Sequence, residues 1–282
     1  MTTVAIATCL EQPTLTPSDA LLAAALERKG ARAVALPWNG PFAPFAAADI
    51  VLIRSTWDYF GVPDEFRVWL DRLRTLPRVT NDPSLMQWNM GKLYLFDLAG
   101  AGAAIAATRR IAPNAPAIRA AMADLGLDRA IVKPVIGGTA SGLSLVRADD
   151  AAALEKAAGL LGGEGLVQAF IPEIATLGET SFVFIGGDFT HAVLKRPKAG
   201  DIRVQTDHGG TVERVDPLPW AIDEARRILG ACPGSPAYAR VDAVIRGQEL
   251  LVMEVELVEP DLFFTYCPGA AARLAGLLID GC

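Results

Sequence analysis

Three carboxylates near the end of the chain, Asp242, Glu254 and Glu256, have the types and spacing of a divalent-cation site. They lie in YARVDAVIRGQELLVMEVELVEP, which reads as a β-hairpin from Tyr238 to Leu257. Glu254 and Glu256 are two apart on a strand and so project from one face, with Met253, Val255 and Leu257 in an apolar layer on the other. Side-by-side carboxylates repel and are costly when partly buried, a cost that a divalent cation relieves. A three-residue loop of Gly247, Gln248 and Glu249 sets Asp242 opposite Glu254, whereas a two-residue turn puts it on the wrong face. Oxygen ligands with open positions suit Mg²⁺ (or Mn²⁺ in its place) holding substrate phosphates. A solvated sheet face with scattered acids is the plain alternative.

A second feature is IVKPVIGGTASG, Ile131 to Gly142. Lys133 leaves the end of an apolar strand, and a loop with Gly137, Gly138 and Gly142 follows. Such glycines let backbone N–H groups approach phosphate oxygens, and the lysine adds a point charge. It is not a Walker A loop, because the lysine precedes the glycines; a flexible hairpin tip has the same composition. Lys92, Arg196 and Arg203 are further cations, and each alone reads equally as a surface charge. Arg54-Ser55-Thr56-Trp57-Asp58-Tyr59 follows a strand, where α/β sheets place ligands; Arg54 could grip a carboxylate, or Trp57 and Tyr59 could pack under a neighbouring domain. Only two histidines occur. His191 lies in an apolar strand and His208 in a polar loop, and Gly-x-Ser-x-Gly is absent, so nucleophilic triads have little to build on.

The elements that must position these groups follow from hydrophobic pattern. The first eighty residues alternate strands (Val4 to Ala7, Ala33 to Leu36, Asp49 to Arg54) with helices, one of them capped by Ser18 and stopped by Gly30. Unbroken apolar runs such as DIVLIR suit a parallel sheet covered on both faces, and Phe66, Trp69, Leu70 and Leu73 form a packing stripe. This Rossmann-like α/β unit lacks a dinucleotide fingerprint. Ser84 caps a helix carrying Asn89 and Lys92, and Thr108 to Ile118, with two prolines, reads as a connection. The remainder is α+β: strands at Ala130 to Lys133, Leu143 to Val146, Leu166 to Phe170, Ser181 to Ile185 and His191 to Arg196, a polar loop, a helix from Trp220 to Leu229, the hairpin, and a helix near Ala270 to Leu278. A length of 282 residues fits two domains. With 26 Lys and Arg against 32 Asp and Glu, the net charge of −6 argues against a nucleic-acid partner. No apolar run approaches the roughly 20 residues that span a bilayer, no secretory signal is evident, and Cys9, Cys232, Cys267 and Cys282 have no metal-site spacing, so a cytoplasmic setting is expected.

In this order the segments resemble the ATP-grasp superfamily, in its glutathione-synthetase-like and ribosomal-protein glutamate ligase branch, across the whole chain. The resemblance implies a pre-ATP-grasp domain over 1–80 and an ATP-grasp domain over 81–282, with a mobile lid subdomain at about 108–168. It implies that Lys92 and Lys133, with Gly137, Gly138, Ser141 and Gly142, serve the nucleotide phosphates. LVQAFIPEI implies an adenine pocket of Gln168, Phe170 and Ile171, and LGETS implies Glu179 at the ribose. Arg196 in KRP and Arg203 and Gln205 in DIRVQTDHGG fall at positions facing the γ-phosphate and acceptor substrate. Asp242, Glu254 and Glu256 match the Mg²⁺ ligands, although the family pattern ends in Glu-x-Asn and this chain has Glu-x-Glu. RSTWDY and MEVELVEPDLF are similar to a bacterial subgroup that includes D-cycloserine synthetase, which closes a ring on an O-ureido amino acid with ATP. The implied activity is an ADP-forming, carbon–nitrogen bond-forming ligase acting through an acyl phosphate of an amino-acid-like substrate. Intramolecular cyclisation, a non-catalytic nucleotide binder and an AMP-releasing transferase are the alternatives. Arg54, Asp58, Gln205 and Glu259 are expected to meet the substrate. Relatives are often dimers, so a homodimer is open.

Overall fold

The structure, a computed structural model, describes residues 1–138, 141–198, 200–201, 204 and 209–281. Its first sheet is parallel: β1 (Thr3–Thr8), β2 (Arg32–Pro37), β3 (Ile50–Ile53) and β4 (Val79–Thr80), in the order β2-β1-β3-β4. Alternate residues of β1 and β3 supply two cores. Val4, Ile6, Ile50 and Leu52 pack with Leu22 and Leu26 of the helix Pro17–Arg28 and with Leu274 and Leu278 of the helix Pro268–Asp280. Ala5, Ala7, Val51 and Ile53 face Trp38, Phe45 and the stripe Phe66, Trp69, Leu70 and Leu73 on the helix Pro63–Leu73. Two helix starts differ from expectation. Thr16, not Ser18, caps the first helix by accepting the Asp19 N–H at 3.0 Å; Ser18 Oγ accepts the N–H of distant Phe264. Asp82, not Ser84, caps the helix Pro83–Asn89, which ends before Lys92, so that lysine sits in the turn preceding the helix Tyr94–Gly100.

A second sheet is antiparallel, with β5 (Thr108–Ile111), β6 (Arg129–Pro134), β7 (Ser144–Arg147) and β8 (Gly165–Ala169) in the order β5-β8-β6-β7. The stretch expected as a connection is therefore a strand and a helix start. Asn114 caps the helix Ala115–Asp124 by accepting the Ala117 N–H, and Pro116 sits in the first turn, where its missing N–H costs nothing. That helix and Ala151–Gly159 cover one face, burying Val132, Val146 and Val167.

The third sheet is also antiparallel: β9 (Glu179–Ile185), β10 (Asp188–Arg196), β11 (Thr211–Val215), β12 (Tyr238–Arg246) and β13 (Glu249–Glu256), in the order β11-β10-β9-β12-β13. Strand β11 was expected as part of a polar loop; it lies at the sheet edge with few buried residues, so no apolar alternation marks it. One face of the sheet packs Phe182, Phe184, Val241, Val252, Val255 and Leu257 against the helices Pro219–Leu229 and Tyr94–Gly100. Val183, Ile185, Val193 and Tyr238 join the core of the first sheet, so the two sheets share one apolar interior.

The β12–β13 hairpin corrects the loop expected there. Arg246 pairs with Glu249 across a two-residue turn, yet Asp242 still lies opposite Glu254. A β-bulge reconciles the two: Ala243 pairs with Val252 and Asp242 with Glu254, leaving Met253 as the extra residue. Because of it, Met253 leaves the apolar layer proposed for it. It packs beside Ile171 and Leu251, while Val255 and Leu257 keep to the helix side. Among the described residues no helix is long and apolar enough to cross a membrane.

Candidate active site

The three sheets enclose one cavity of about 630 Å³. One end is largely apolar, lined by Ile131, Gln168, Phe170, Ile171, Ile174 and Met253. Phe170 is pinned by the Arg129 guanidinium, 4.3 Å from its ring centroid. Gln168 is buried in β8 and its amide donates to Thr108 Oγ1 at 3.0 Å.

The middle carries the lysines. Lys133 alternates with Val132 on β6, so its side chain enters the cavity while Val132 enters the core. Lys92 is tied to the foot of the glycine loop twice, by its N–H to Val135 O at 2.8 Å and its Nζ to Gly137 O at 2.7 Å. Both lysines approach Glu254 Oε1, at 3.3 Å (Lys92) and 4.0 Å (Lys133). Burial, only partly offset by Glu254, lowers Lys133 to about 8, while Glu254, although half-buried, is held below its ordinary value by the two lysines. Gly137, Gly138 and Ser141 line the cavity; Gly142 does not, and turns the loop at φ +70°. Gly138 is pressed by a neighbour: a Cβ there would stand 2.2 Å from two ring carbons of Phe60.

Beyond the lysines lies a charged network. Asp242 Oδ1 accepts from Ser181 Oγ and Arg240 Nε, and Oδ2 from Lys195 Nζ and Arg240 Nη2, all at 2.7–2.9 Å. Four donors fill the roughly four lone-pair positions of a carboxylate. Burial opposes ionisation, yet Arg240 and Lys195 hold Asp242 well below the ordinary range. Arg240 also donates to Glu256, and Lys195 pairs with Glu179 at 2.5 Å. Glu256, half-buried beside Asp242 and Glu254, is pushed up to about 7 by desolvation and those acids despite Arg240.

A hard divalent cation needs carboxylate oxygens free of other donors. Among the described residues, Glu254 and Glu256 each keep an oxygen without a protein donor, and the burial and neighbouring acids that raise Glu256 are of the kind a cation relieves. Asp242 has none to spare in this arrangement. Among the described residues, no group of three or more His, Cys, Asp or Glu is arranged around a common point for a metal. Two of the three expected ligands therefore fit, and the third orients Arg240 and Lys195.

Other expected residues lie elsewhere. Arg196 is at the rim, paired with Glu213 of β11 and absent from the cavity lining; its neighbour Lys195 points inward. Arg203, Gln205 and His208 lie outside the described residues. Glu179 faces the cavity but is engaged by Lys195. Asp58 accepts from Trp38 Nε1 and Asn39 Nδ2 within the first unit and does not line the cavity. Arg54 is 2% exposed, bound to Asp19 and to the carbonyl of Pro260, and does not line it either. Glu259 does, with Trp57, Tyr59, Phe60 and Asp261. His191 is buried, with Nδ1 2.9 Å from Thr190 Oγ1, and burial lowers its pKa. Lys195 and Arg240 were missed, although the strand rule that joined Glu254 to Glu256 also joins Arg240 to Asp242, and Lys195 pairs directly with Glu179 across β9 and β10.

Residues 4–81 match the family described as D-cycloserine synthetase DcsG, N-terminal domain. Over 272 residues the chain is 26% identical to the cycloserine biosynthesis protein DcsG of Streptomyces lavendulae, covering 89% of each. The crystal structure of D-cycloserine synthetase DcsG superposes with a TM-score of 0.88 at 25% identity, covering 99% of both chains. A RimK-domain ATP-grasp protein from Sphaerobacter thermophilus superposes at 0.71 with 21% identity, over 99% of this chain and 98% of that one, which speaks to fold alone. The same fold is seen in a D-alanine–D-alanine ligase complexed with ATP, at 0.69, and in the ligase PsnB complexed with Mg and ADP, at 0.64.

Proposed function

We propose that this chain, which is similar to D-cycloserine synthetase along nearly its full length, is an ATP-grasp ligase that activates a carboxylate of an amino-acid-like substrate with ATP, as an acyl phosphate that a nitrogen nucleophile captures. A substrate carboxylate oxygen bonds to the γ-phosphorus as the bond to the β–γ bridging oxygen breaks, releasing ADP. The nitrogen then bonds to the carbonyl carbon, gives up its proton, and the carbon–oxygen bond to phosphate breaks.

The observation that carries this reading is the convergence of Lys92 and Lys133 on Glu254 beside the apolar slot. In the reading, the slot of Gln168, Phe170, Ile171 and Met253 takes the base. The two lysines, with Gly137, Gly138 and Ser141, take the phosphates, and phosphoryl transfer needs mainly such positioning and charge. Glu254 and Glu256 would hold Mg²⁺ (or Mn²⁺), which when bound screens the phosphate charge. Arg240 and Lys195, oriented by Asp242, take the role expected of Arg196: they meet negative charge developing on the carbonyl oxygen. The enclosed cavity, with Phe60 against Gly138, excludes water that would hydrolyse the acyl phosphate.

A second reading, ring closure within one substrate, is favoured by the match to the D-cycloserine synthetase N-terminal domain over residues 4–81. Mg-ATP with pooled amino acids and O-substituted serines, including an O-ureido serine, and hydroxylamine as trap separates the two. ADP plus a hydroxamate supports intermolecular ligation. ADP without hydroxamate from the O-ureido compound alone supports ring closure. AMP, or tight ATP binding with no product from any pool, contradicts both.

A further inference from the structure

The loop after β13 is clamped from two sides. Three consecutive carbonyls each accept a side-chain donor: Glu259 O from Trp57 Nε1 at 3.1 Å, Pro260 O from Arg54 Nη2 at 2.7 Å, and Asp261 O from Arg240 Nη1 at 3.1 Å. Arg54 is itself held by Asp19 Oδ1 at 2.7 Å. The clamp aims the Glu259 carboxyl into the cavity, beside the wall of Trp57, Tyr59 and Phe60. The Tyr59 hydroxyl stands beside it.

Four of the cavity's acids have cations. Glu179 and Asp242 share Lys195, Asp242 and Glu256 share Arg240, and Glu254 has the two lysines. Among the described residues, Glu259 and Asp261 form no ion pair, and Asp261 spends an oxygen on the Phe263 N–H. A desolvated carboxylate without a cation is costly, and here burial and nearby Glu256 push Glu259 up to about 8. Lys92 and Arg240 act on Glu259 only from beyond ion-pair distance, so among the described residues no cation contacts it and the compensating charge falls to the substrate.

We propose that Glu259 is a specificity-determining residue that accepts the protonated amine of the substrate. The assignment rests on the ligase reading and narrows it. An ammonium held by Glu259 has no free lone pair and cannot be the attacking nitrogen, so the substrate class is an amino acid derivative whose α-amine is spared while a second nitrogen reacts.

The test uses the full-length protein with Mg²⁺ and a non-hydrolysable ATP analogue, and two probes: an O-ureido serine and its counterpart with hydrogen in place of the α-amine. Calorimetry should show the wild type binding the aminated probe about tenfold or more tighter, as expected where a buried polar group loses its partner. Glu259→Gln should erase that preference, weakening the aminated probe about tenfold and leaving its counterpart within about threefold. Trp57→Phe, which frees the Glu259 carbonyl but keeps the carboxyl, should shift the preference in the same direction by less, with a folded melting transition retained. No discrimination by the wild type, binding of neither probe, or equal weakening of both by Glu259→Gln overturns the assignment. Turnover measured alongside separates the two claims: discrimination in binding with no ADP formed supports the ammonium site and rejects the ligase reading.

Discussion

At Asp242 the number of donors decides the chemistry. With Ser181, Lys195 and two nitrogens of Arg240 on its oxygens, it works through the cations it holds. Asp242→Ala strips Lys195 and Arg240 of a shared buried partner, and breaking a buried pair typically costs about 3–5 kcal/mol. We expect a loss near the lower end, because Glu179 and Glu256 remain, read by urea denaturation together with a fall in turnover. A variant of native stability would contradict the network. Titration supplies a second prediction. Glu256 ionises at about 7, so cation binding strengthens as pH rises through that value; Lys133 sheds its proton at about 8, so phosphate binding weakens above it. The ratio kcat/KM for Mg-ATP, which reports the free enzyme, should therefore peak between about 7 and 8. Lys133→Arg should remove the basic limb, since guanidinium stays charged. The same shift has a cost in stability. The native state keeps the Glu256 proton where the unfolded chain has lost it, so the ligand-free protein should lose stability as pH rises from about 4.5 to about 7.

Among the elements, strands whose apolar residues alternate cleanly were legible and those shaped by polar or irregular features were not. The opposition of Asp242 and Glu254 could be read from the hairpin, but not its cause. Nothing in VMEVE announces a bulge, and a three-residue turn and a two-residue turn plus bulge give the same pairing. Arg196 and Lys195 show the converse: adjacent cations on a strand must face opposite ways, and only the pairing of Lys195 with Glu179 tells which is inward. Strand β11 and the middle of β5, Arg109 and Arg110, carry exposed residues, so periodicity could not mark them. The glycine loop was visible, but its contact was not, because Phe60 arrives from a distant turn. Gly138→Ala should force the Phe60 ring aside and lower kcat/KM about tenfold, an overpacking effect with little loss of fold. Phe60→Ala added to it should restore part of the activity; a double variant no better than Gly138→Ala would show that the contact is not what matters.

For the molecule as a whole, the carboxyl edge of the parallel sheet is plugged rather than open. Arg54 joins Asp19 to the Pro260 carbonyl, the Tyr238 hydroxyl lies 2.8 Å from both Ile53 O and Val258 O with its one proton between them, and Asn81 bridges Tyr238 and Leu257. Arg54 was therefore misplaced as a substrate contact because, in sequence, a strand-end arginine looks the same whether it meets a ligand or another part of the chain. Arg54→Leu leaves Asp19 buried without its cation and should cost about 3 kcal/mol or more, seen as a lower melting temperature, with a weaker grip on substrate through the Glu259 loop. The central claim is that this shared cavity moves a phosphoryl group onto a carboxylate. Its most direct test is an O-ureido serine labelled with ¹⁸O in the carboxylate, incubated with Mg-ATP, followed by mass analysis of the released phosphate. Activation as an acyl phosphate predicts one ¹⁸O carried into phosphate with each ADP formed. Unlabelled phosphate accompanying ADP and product would contradict it.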